Sequence, residues 1–121
     1  MPPAFKRAER VGQAMQEELS QMLLRDLKDP RIGRATITRV RVTDDLRHAR
    51  AFVAVAGDPA AQARALEGLR SAAGFVRGEL ARRLNLRYAP DIVFEADETL
   101  DEMQRLGELF RSLRPPEGET P

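Results

Sequence analysis

The sequence predicts an α+β fold of a single domain, in which a three-stranded sheet carries its helices on one face. Three observations support this fold class. The chain has 121 residues, the length of one domain. Apolar residues recur at spacings of three and four along several stretches, which is typical of amphipathic helices. Two β-branched stretches of alternating polarity, joined by a short link, predict an antiparallel hairpin.

The first predicted element is a helix over residues 5–28. Its apolar side chains form one stripe, and charged residues occupy the opposite face. The helix is expected to end at Asp29, because a residue before proline avoids helical angles. The stripe consists of Val11, Met15, Leu19, Met22, Leu23 and Leu27.

The predicted hairpin follows, with strands at residues 35–43 and 48–56. In the first strand Val40 and Val42 alternate with arginines, which indicates a sheet covered on one face only. Ile37 interrupts this alternation and predicts a bulge or a register change near the start of the strand.

The stretch "LRSAAGFVRGELARRLNLR" at residues 69–87 looks like a helix with a break in it. Asp58 and Pro59 are suited to start a helix that runs over residues 59–73. A glycine inside a helix costs roughly 1 kcal/mol relative to alanine, so Gly74 predicts a break at that point. A second helical segment is then expected to end near residues 85–88.

The last third of the chain predicts a strand, a helix and a tail. Residues 91–96 form the third strand, and residues 99–113 form a C-terminal helix that starts at a capping box. Residues 1–113 are thus the expected domain, and the proline-rich residues 114–121 are expected to be disordered. The acidic C-terminal segment is expected to cover the sheet or the first helix, or to meet a basic protein, rather than to touch RNA.

Charge is distributed unevenly along a chain whose formal net charge is +1. Residues 30–50 contain six arginines and two acids, and residues 70–87 contain five arginines and one acid. Residues 88–121 contain three arginines and nine acids. The pattern predicts a molecule with one positive side, suited to nucleic acid.

Enzymatic, metal and membrane functions have little support in the sequence. There is no cysteine, and His48 is the only histidine and has no candidate nucleophile beside it. The acids Asp97, Glu98, Asp101 and Glu102 are explained by helix capping more simply than by a cation site. With no apolar segment for export or membrane insertion, a cytoplasmic, non-enzymatic monomer without cofactor or metal is expected.

Four linked segments carry a resemblance to a known family. They are "RAERVGQAMQEELSQML" at 7–23, "DPRIGRATITRVRVTDDLRHARAFVAV" at 29–55, "AAGFVRGELARRLNLRYAPDIVFEAD" at 72–97 and the leucine-rich helix after them. In these segments the chain resembles the ribosome-binding factor A family, over roughly residues 6–113. The order of elements is that of a type II KH domain.

The resemblance implies a function in ribosome assembly. Family members replace the Gly-x-x-Gly loop of other KH domains with an Ala-x-Gly kink, which corresponds here to Ala72, Ala73 and Gly74. Small side chains allow a sharp bend at this kink, and glycine tolerates unusual backbone angles. The implied function is binding to the small (30S) ribosomal subunit and late maturation of its 16S rRNA, including the 5′ region, notably during adaptation to cold. Assembly GTPases are candidate partners.

The candidate RNA-binding residues are the kink, the arginines around it and two further basic groups, all suited to bind phosphates. They are Arg70, Ala72, Ala73, Gly74, Arg77, Arg82, Arg83 and Arg87 in the kinked helix, Arg31, Arg34, Arg39 and Arg41 in and before the first strand, and Lys6, Arg7 and Arg10 in the first helix. The competing interpretation is a solvated helix face in which Arg83 pairs with Glu79.

Base stacking is expected to be minor, because the aromatic residues mostly fit core positions and Tyr88 is the one candidate. Two alternative functions remain open at this point. One is a general single-stranded RNA-binding module, and the other is a protein-interaction module that uses the acidic C-terminal helix.

Overall fold

The computed structural model describes the backbone of residues 3–113 and the side chains of residues 6–99 and 105–113. The expected tail at residues 114–121 and the side chains of Asp101 and Glu102 lie outside this description. The elements are α1 (Pro3–Arg25), β1 (Ala35–Val42), β2 (His48–Val55), α2 (Pro59–Ser71), α3 (Ala73–Arg83), β3 (Asp91–Ala96) and α4 (Thr99–Leu113). This order confirms the predicted α+β class. The predicted α1 extended to residue 28, whereas the helix ends at Arg25.

The three strands form one mixed sheet in the order β1-β2-β3. β1 and β2 are antiparallel, and β2 and β3 are parallel. The pairing shifts between Ile37 and Arg39, which confirms the predicted irregularity. Because of this shift Ile37 points into the core, whereas Arg39 and Arg41 point away from it and are exposed.

Helices α1, α2 and α3 pack on one face of the sheet and enclose the core. The predicted stripe of α1 is confirmed, since Met15, Leu19 and Met22 are buried. Phe94 on β3 is buried in the core and is the largest fully buried side chain among the described residues. Other core residues are Ile37, Ala49, Ala51, Val53, Leu69, Val76 and Leu80.

The break between α2 and α3 lies at Ala72, where φ is −88° and ψ is −1°. Asp58 accepts a hydrogen bond from the Ala61 amide at the start of α2, as predicted. The expectation that Gly74 supplies an unusual backbone angle was wrong. Among the described residues, the glycines with positive φ are Gly33 and Gly57. Gly74 lies in the first turn of α3, and a Cβ added to it would meet nothing within 4 Å.

Helix α4 is amphipathic but exposes its apolar side chains. Leu106, Leu109, Phe110 and Leu113 are all exposed, and no side chain at 105–113 is buried. The expectation that this segment covers the sheet or α1 was therefore wrong for the described side chains, and contact with a basic protein stays a prediction. Within residues 3–113, no helix combines the length and apolar character that a membrane span requires.

Candidate RNA-binding surface

Arg70 and Arg77 lie on the two sides of the kink and both reach the outer edge of β3. Arg70 Nη2 donates a hydrogen bond to the Phe94 carbonyl oxygen at 3.2 Å. Arg77 Nε donates to the Pro90 carbonyl oxygen at 2.9 Å, and its Nη2 lies 3.1 Å from a carboxylate oxygen of Asp91. The kink therefore places two guanidinium groups along one sheet edge.

Arg83 has a different environment from the other arginines of this segment. It forms ion pairs with Glu79 at 2.9 Å, with Asp26 at 2.8 Å and with Glu18 at 3.3 Å. Its side chain is 22% exposed, and these hydrogen bonds, led by the one to Asp26, raise the pKa of the guanidinium. Arg83 thus links α3 to α1 and to Asp26, which directly follows α1. These ion pairs stabilise the fold.

Arg82 and Arg87 point to solvent. The Arg82 side chain is 69% exposed and has one acidic partner among the described residues, Glu79 at 2.7 Å. Arg87 follows α3, and its guanidinium carbon lies 5.5 Å from the ring centre of Tyr88. Arg47 lies closer to the same ring, at 4.4 Å. Both predicted arginines are available for phosphate contact.

The first-helix candidates and the end of the kinked helix lie at the same end of the molecule. Lys6, Arg7 and Arg10 are exposed on the first turns of α1. Arg7 and Arg10 border an apolar groove that also contains Leu84 and Leu86, directly before Arg87. The fold therefore brings together basic residues that are more than 70 positions apart in the sequence.

A second basic surface lies on the sheet face that carries no helix. Arg39 packs over the ring of Phe52 at 4.2 Å, and Arg50 approaches the same ring at 5.6 Å. Arg41 is paired in register with Arg50, so three guanidinium groups lie on two adjacent strands. Arg50 is neutralised in part by Glu95 at 2.6 Å.

Arg31 and Arg34 precede β1 and differ in their contacts. Arg31 pairs with Asp29 at 2.6 Å and with Glu67 at 3.2 Å, and the Asp29 hydrogen bond is the main cause of the raised pKa of Arg31. Arg34 is exposed and makes no ion pair with any described residue. Arg31 therefore has a structural role, whereas Arg34 is accessible.

The expectation that the aromatic side chains mostly lie in the core was wrong. Of the aromatic side chains that the structure describes, only Phe94 is buried. Phe75, Tyr88 and Phe110 are exposed, and Phe52 is partly buried under Arg39. Sequence reasoning missed Phe75, although its seven-residue spacing from Arg82 places both residues on one face of α3.

Asp97 connects β3, β1 and α4. Thr38 Oγ1 donates a hydrogen bond to Asp97 Oδ2 at 2.5 Å, and the Thr99 amide donates to Asp97 Oδ1 at 2.9 Å. These hydrogen bonds, the one from Thr38 above all, lower the pKa of Asp97 from its ordinary value of 3.8. The pKa of Glu79 is lowered in the same direction, mainly by the hydrogen bond from Arg82.

These lowered pKa values predict acid sensitivity. A carboxyl group whose pKa is lower in the folded than in the unfolded state stabilises the fold above its unfolded pKa, and this stabilisation disappears as the pH falls through the folded value. We expect the melting temperature to fall as the pH drops below about 4. The variant Asp97→Asn should show a shallower fall, measured by circular dichroism, and Asp44→Asn is the exposed control. Identical pH profiles for Asp97→Asn and the unmodified chain would contradict this assignment.

The comparisons with known proteins agree in both sequence and fold. The family model for ribosome-binding factor A matches residues 7–110. A Geobacter metallireducens ribosome-binding factor A is 41% identical over 114 residues, which cover 94% of this chain and 97% of that protein.

Two solved structures extend the comparison. The solution structure of a Thermotoga maritima protein, provisionally assigned as a ribosome binding factor A, is 34% identical with a TM-score of 0.67 and covers 82% of this chain and 93% of its own. The second is a homology model of Thermus thermophilus ribosome binding factor A, as fitted into a cryo-electron microscopy map of a 30S complex. It is 27% identical with a TM-score of 0.55 and covers 74% of this chain and 89% of its own. The chain belongs to the ribosome-binding factor A family.

Proposed function

We propose that this protein binds the small ribosomal subunit and assists the late maturation of its 16S rRNA, including the 5′ region. The observation that carries the proposal is the family match over residues 7–110, together with the relative that was fitted into a 30S complex. The exposed arginines beside the kink support it, because guanidinium groups bind phosphates bidentately.

The proposed contact surface consists of the kink and the accessible basic residues on both sides of it. Its members are Arg70, Ala72, Ala73, Gly74, Arg77, Arg82 and Arg87, with Lys6, Arg7, Arg10, Arg34, Arg39 and Arg41 as outlying contacts. We leave Arg31 and Arg83 out of this surface, because each pairs with two or more carboxylates, whereas Arg77 and Arg82 each pair with one described carboxylate.

The glycines at and after the kink give RNA access to the backbone of α3, in addition to the charge of the neighbouring arginines. A Cβ at Gly74 or at Gly78 would point into open space, so the fold does not need either glycine to avoid a clash. Their missing side chains leave the backbone of α3 open, and the sugar-phosphate chain of an RNA can approach it closely. The protein would recognise the charge of the RNA phosphates and the shape of the RNA.

The mechanism is one of binding without catalysis. The protein would act as a cytoplasmic monomer, without metal or cofactor, that holds an immature rRNA segment until maturation is complete. Assembly GTPases are candidate partners. Within the described residues no group of three His, Cys, Asp or Glu side chains is placed to hold a metal ion.

Co-sedimentation with purified small subunits tests this function. We expect the protein to pellet preferentially with immature rather than mature small subunits in sucrose gradients. The affinity should fall with salt, because each neutralised phosphate adds about 0.7 to 0.9 to the log–log slope. Equal binding to naked single-stranded RNA and to immature subunits would favour the general RNA-binding alternative.

The exposed stripe of α4 favours protein interaction as a second candidate function. Leu106, Leu109, Phe110 and Leu113 form an apolar surface on a segment whose sequence is acidic. Exposed apolar patches of this kind commonly mark protein interfaces. In the same experiment, subunit binding that is insensitive to salt and is lost in Phe110→Ser would identify α4 as the principal contact.

A further inference from the structure

Phe75 is an exposed aromatic residue near the start of a helix face whose other members are glycine and arginine. It lies in the first turn of α3, three residues after the break at Ala72, and is 51% exposed. On α2 and α3, Phe75 is the one large apolar residue that is exposed, among the residues that the structure describes. An isolated ring of this kind is not explained by the core, in which Val76 and Leu80 face the sheet.

The neighbours of Phe75 on this face are a glycine without a side chain and an exposed arginine. Residues 75, 78 and 82 follow one another at helical spacing and share the face of α3 opposite Val76 and Leu80. Gly78 adds no side chain to this surface, and a Cβ there would meet nothing within 4 Å. Arg82 closes the surface with a guanidinium group whose side chain is 69% exposed.

We propose that this surface binds one unpaired nucleobase of the rRNA, with the base stacked on Phe75 and the adjoining phosphate held by Arg82. The proposal rests on the proposed function and adds a contact of a different chemical kind to it. Every nucleobase has an aromatic face, so stacking needs no particular sequence. The lack of a Cβ at Gly78 leaves room for the ribose between ring and guanidinium.

Charge and surface composition favour a nucleobase over an apolar protein partner. A protein-docking patch is a contiguous apolar area of several hundred Å². Here the ring is bordered by two glycines, and the charged Arg82 and Glu79 lie on the same helix. Single-stranded RNA offers the matching combination, an aromatic plane with a negative charge a few ångströms away.

Four substitutions at position 75 test the proposal in the full chain. Phe75→Ala should weaken binding to immature small subunits, since base–aromatic stacking contributes about 1–3 kcal/mol per base. That range corresponds to a loss of roughly 5- to 150-fold in affinity. Phe75→Tyr and Phe75→Trp should restore binding, whereas Phe75→Leu, which is apolar but cannot stack, should behave like Phe75→Ala.

Fluorescence gives an independent readout, because the chain contains no tryptophan. In Phe75→Trp the single indole should be quenched when oligoadenylate of eight nucleotides is added, and the quenching should be lost with an abasic oligomer of the same length and charge. Thermal melts should be nearly unchanged for all four variants, since the ring is half exposed.

Three outcomes would overturn the proposal. One is binding by Phe75→Ala that equals that of the unmodified chain, and another is rescue by Phe75→Leu, which would assign the ring to an apolar protein contact. The third is equal quenching by intact and abasic oligomers. The proposed function is tested separately, because in each of these cases the unmodified chain can still pellet with immature subunits. Failure of the unmodified chain to pellet would instead contradict the proposed function.

Discussion

Simultaneous charge reversal of Arg70, Arg82 and Arg87 to glutamate is expected to abolish association with immature small subunits. Each substitution removes a phosphate partner and adds a charge that repels the RNA backbone. In the corresponding single variants, the log–log salt dependence of binding should fall by about one for the lost contact. Sucrose-gradient co-sedimentation at several salt concentrations measures both quantities.

The matched control reverses three arginines that lie outside the proposed surface. Arg25, Arg105 and Arg111 are also exposed, so the control triple changes the net charge equally. We expect it to retain most of the binding. Equal losses in the two triples would mean that overall charge, and not the surface beside the kink, determines association. Thermal melts of both triples establish that each variant is folded.

Replacing Phe94 by alanine is expected to lower the free energy of unfolding by about 3–5 kcal/mol. Phe94 is 1% exposed, and its removal leaves a cavity between β3 and the helices. A loss of this size is a large part of the roughly 5–15 kcal/mol by which proteins of this kind are stable. Urea denaturation followed by circular dichroism measures it.

Phe75→Ala is the control for this second experiment, because it removes the same atoms from a ring that is 51% exposed. We expect its unfolding free energy to change by about 0.5 kcal/mol or less. Similar losses of unfolding free energy in Phe94→Ala and Phe75→Ala would contradict the difference in burial between the two rings.

The order and type of the elements were predictable because they follow from local patterns. Apolar residues at helical spacing in α1 and alternating residues in β1 and β2 bury one face each, whatever lies opposite. Even the irregularity at Ile37 was visible as a break in the alternation. The position of the helix break was predicted to within two residues of Ala72, although its cause was not, since Gly74 adopts no positive φ.

The candidate site was only partly predictable from the sequence. Arg82 and Arg83 are neighbours in the chain, yet Arg82 is exposed and Arg83 is held by three carboxylates. Two of these partners, Glu18 and Asp26, are 65 and 57 residues away and reach Arg83 through the packing of α1 against α3. Periodicity within one helix contains no information about such partners.

By itself, the sequence determined the α+β class, the faces of α1 and the hairpin, and the concentration of arginine around the kink. Only the tertiary structure decided which arginines remain accessible, that Phe75 is exposed while Phe94 is buried, and that the described apolar side chains of α4 have no cover. The physical reason is that local periodicity assigns a residue to a face of its own element, whereas burial and pairing depend on the elements packed against that face.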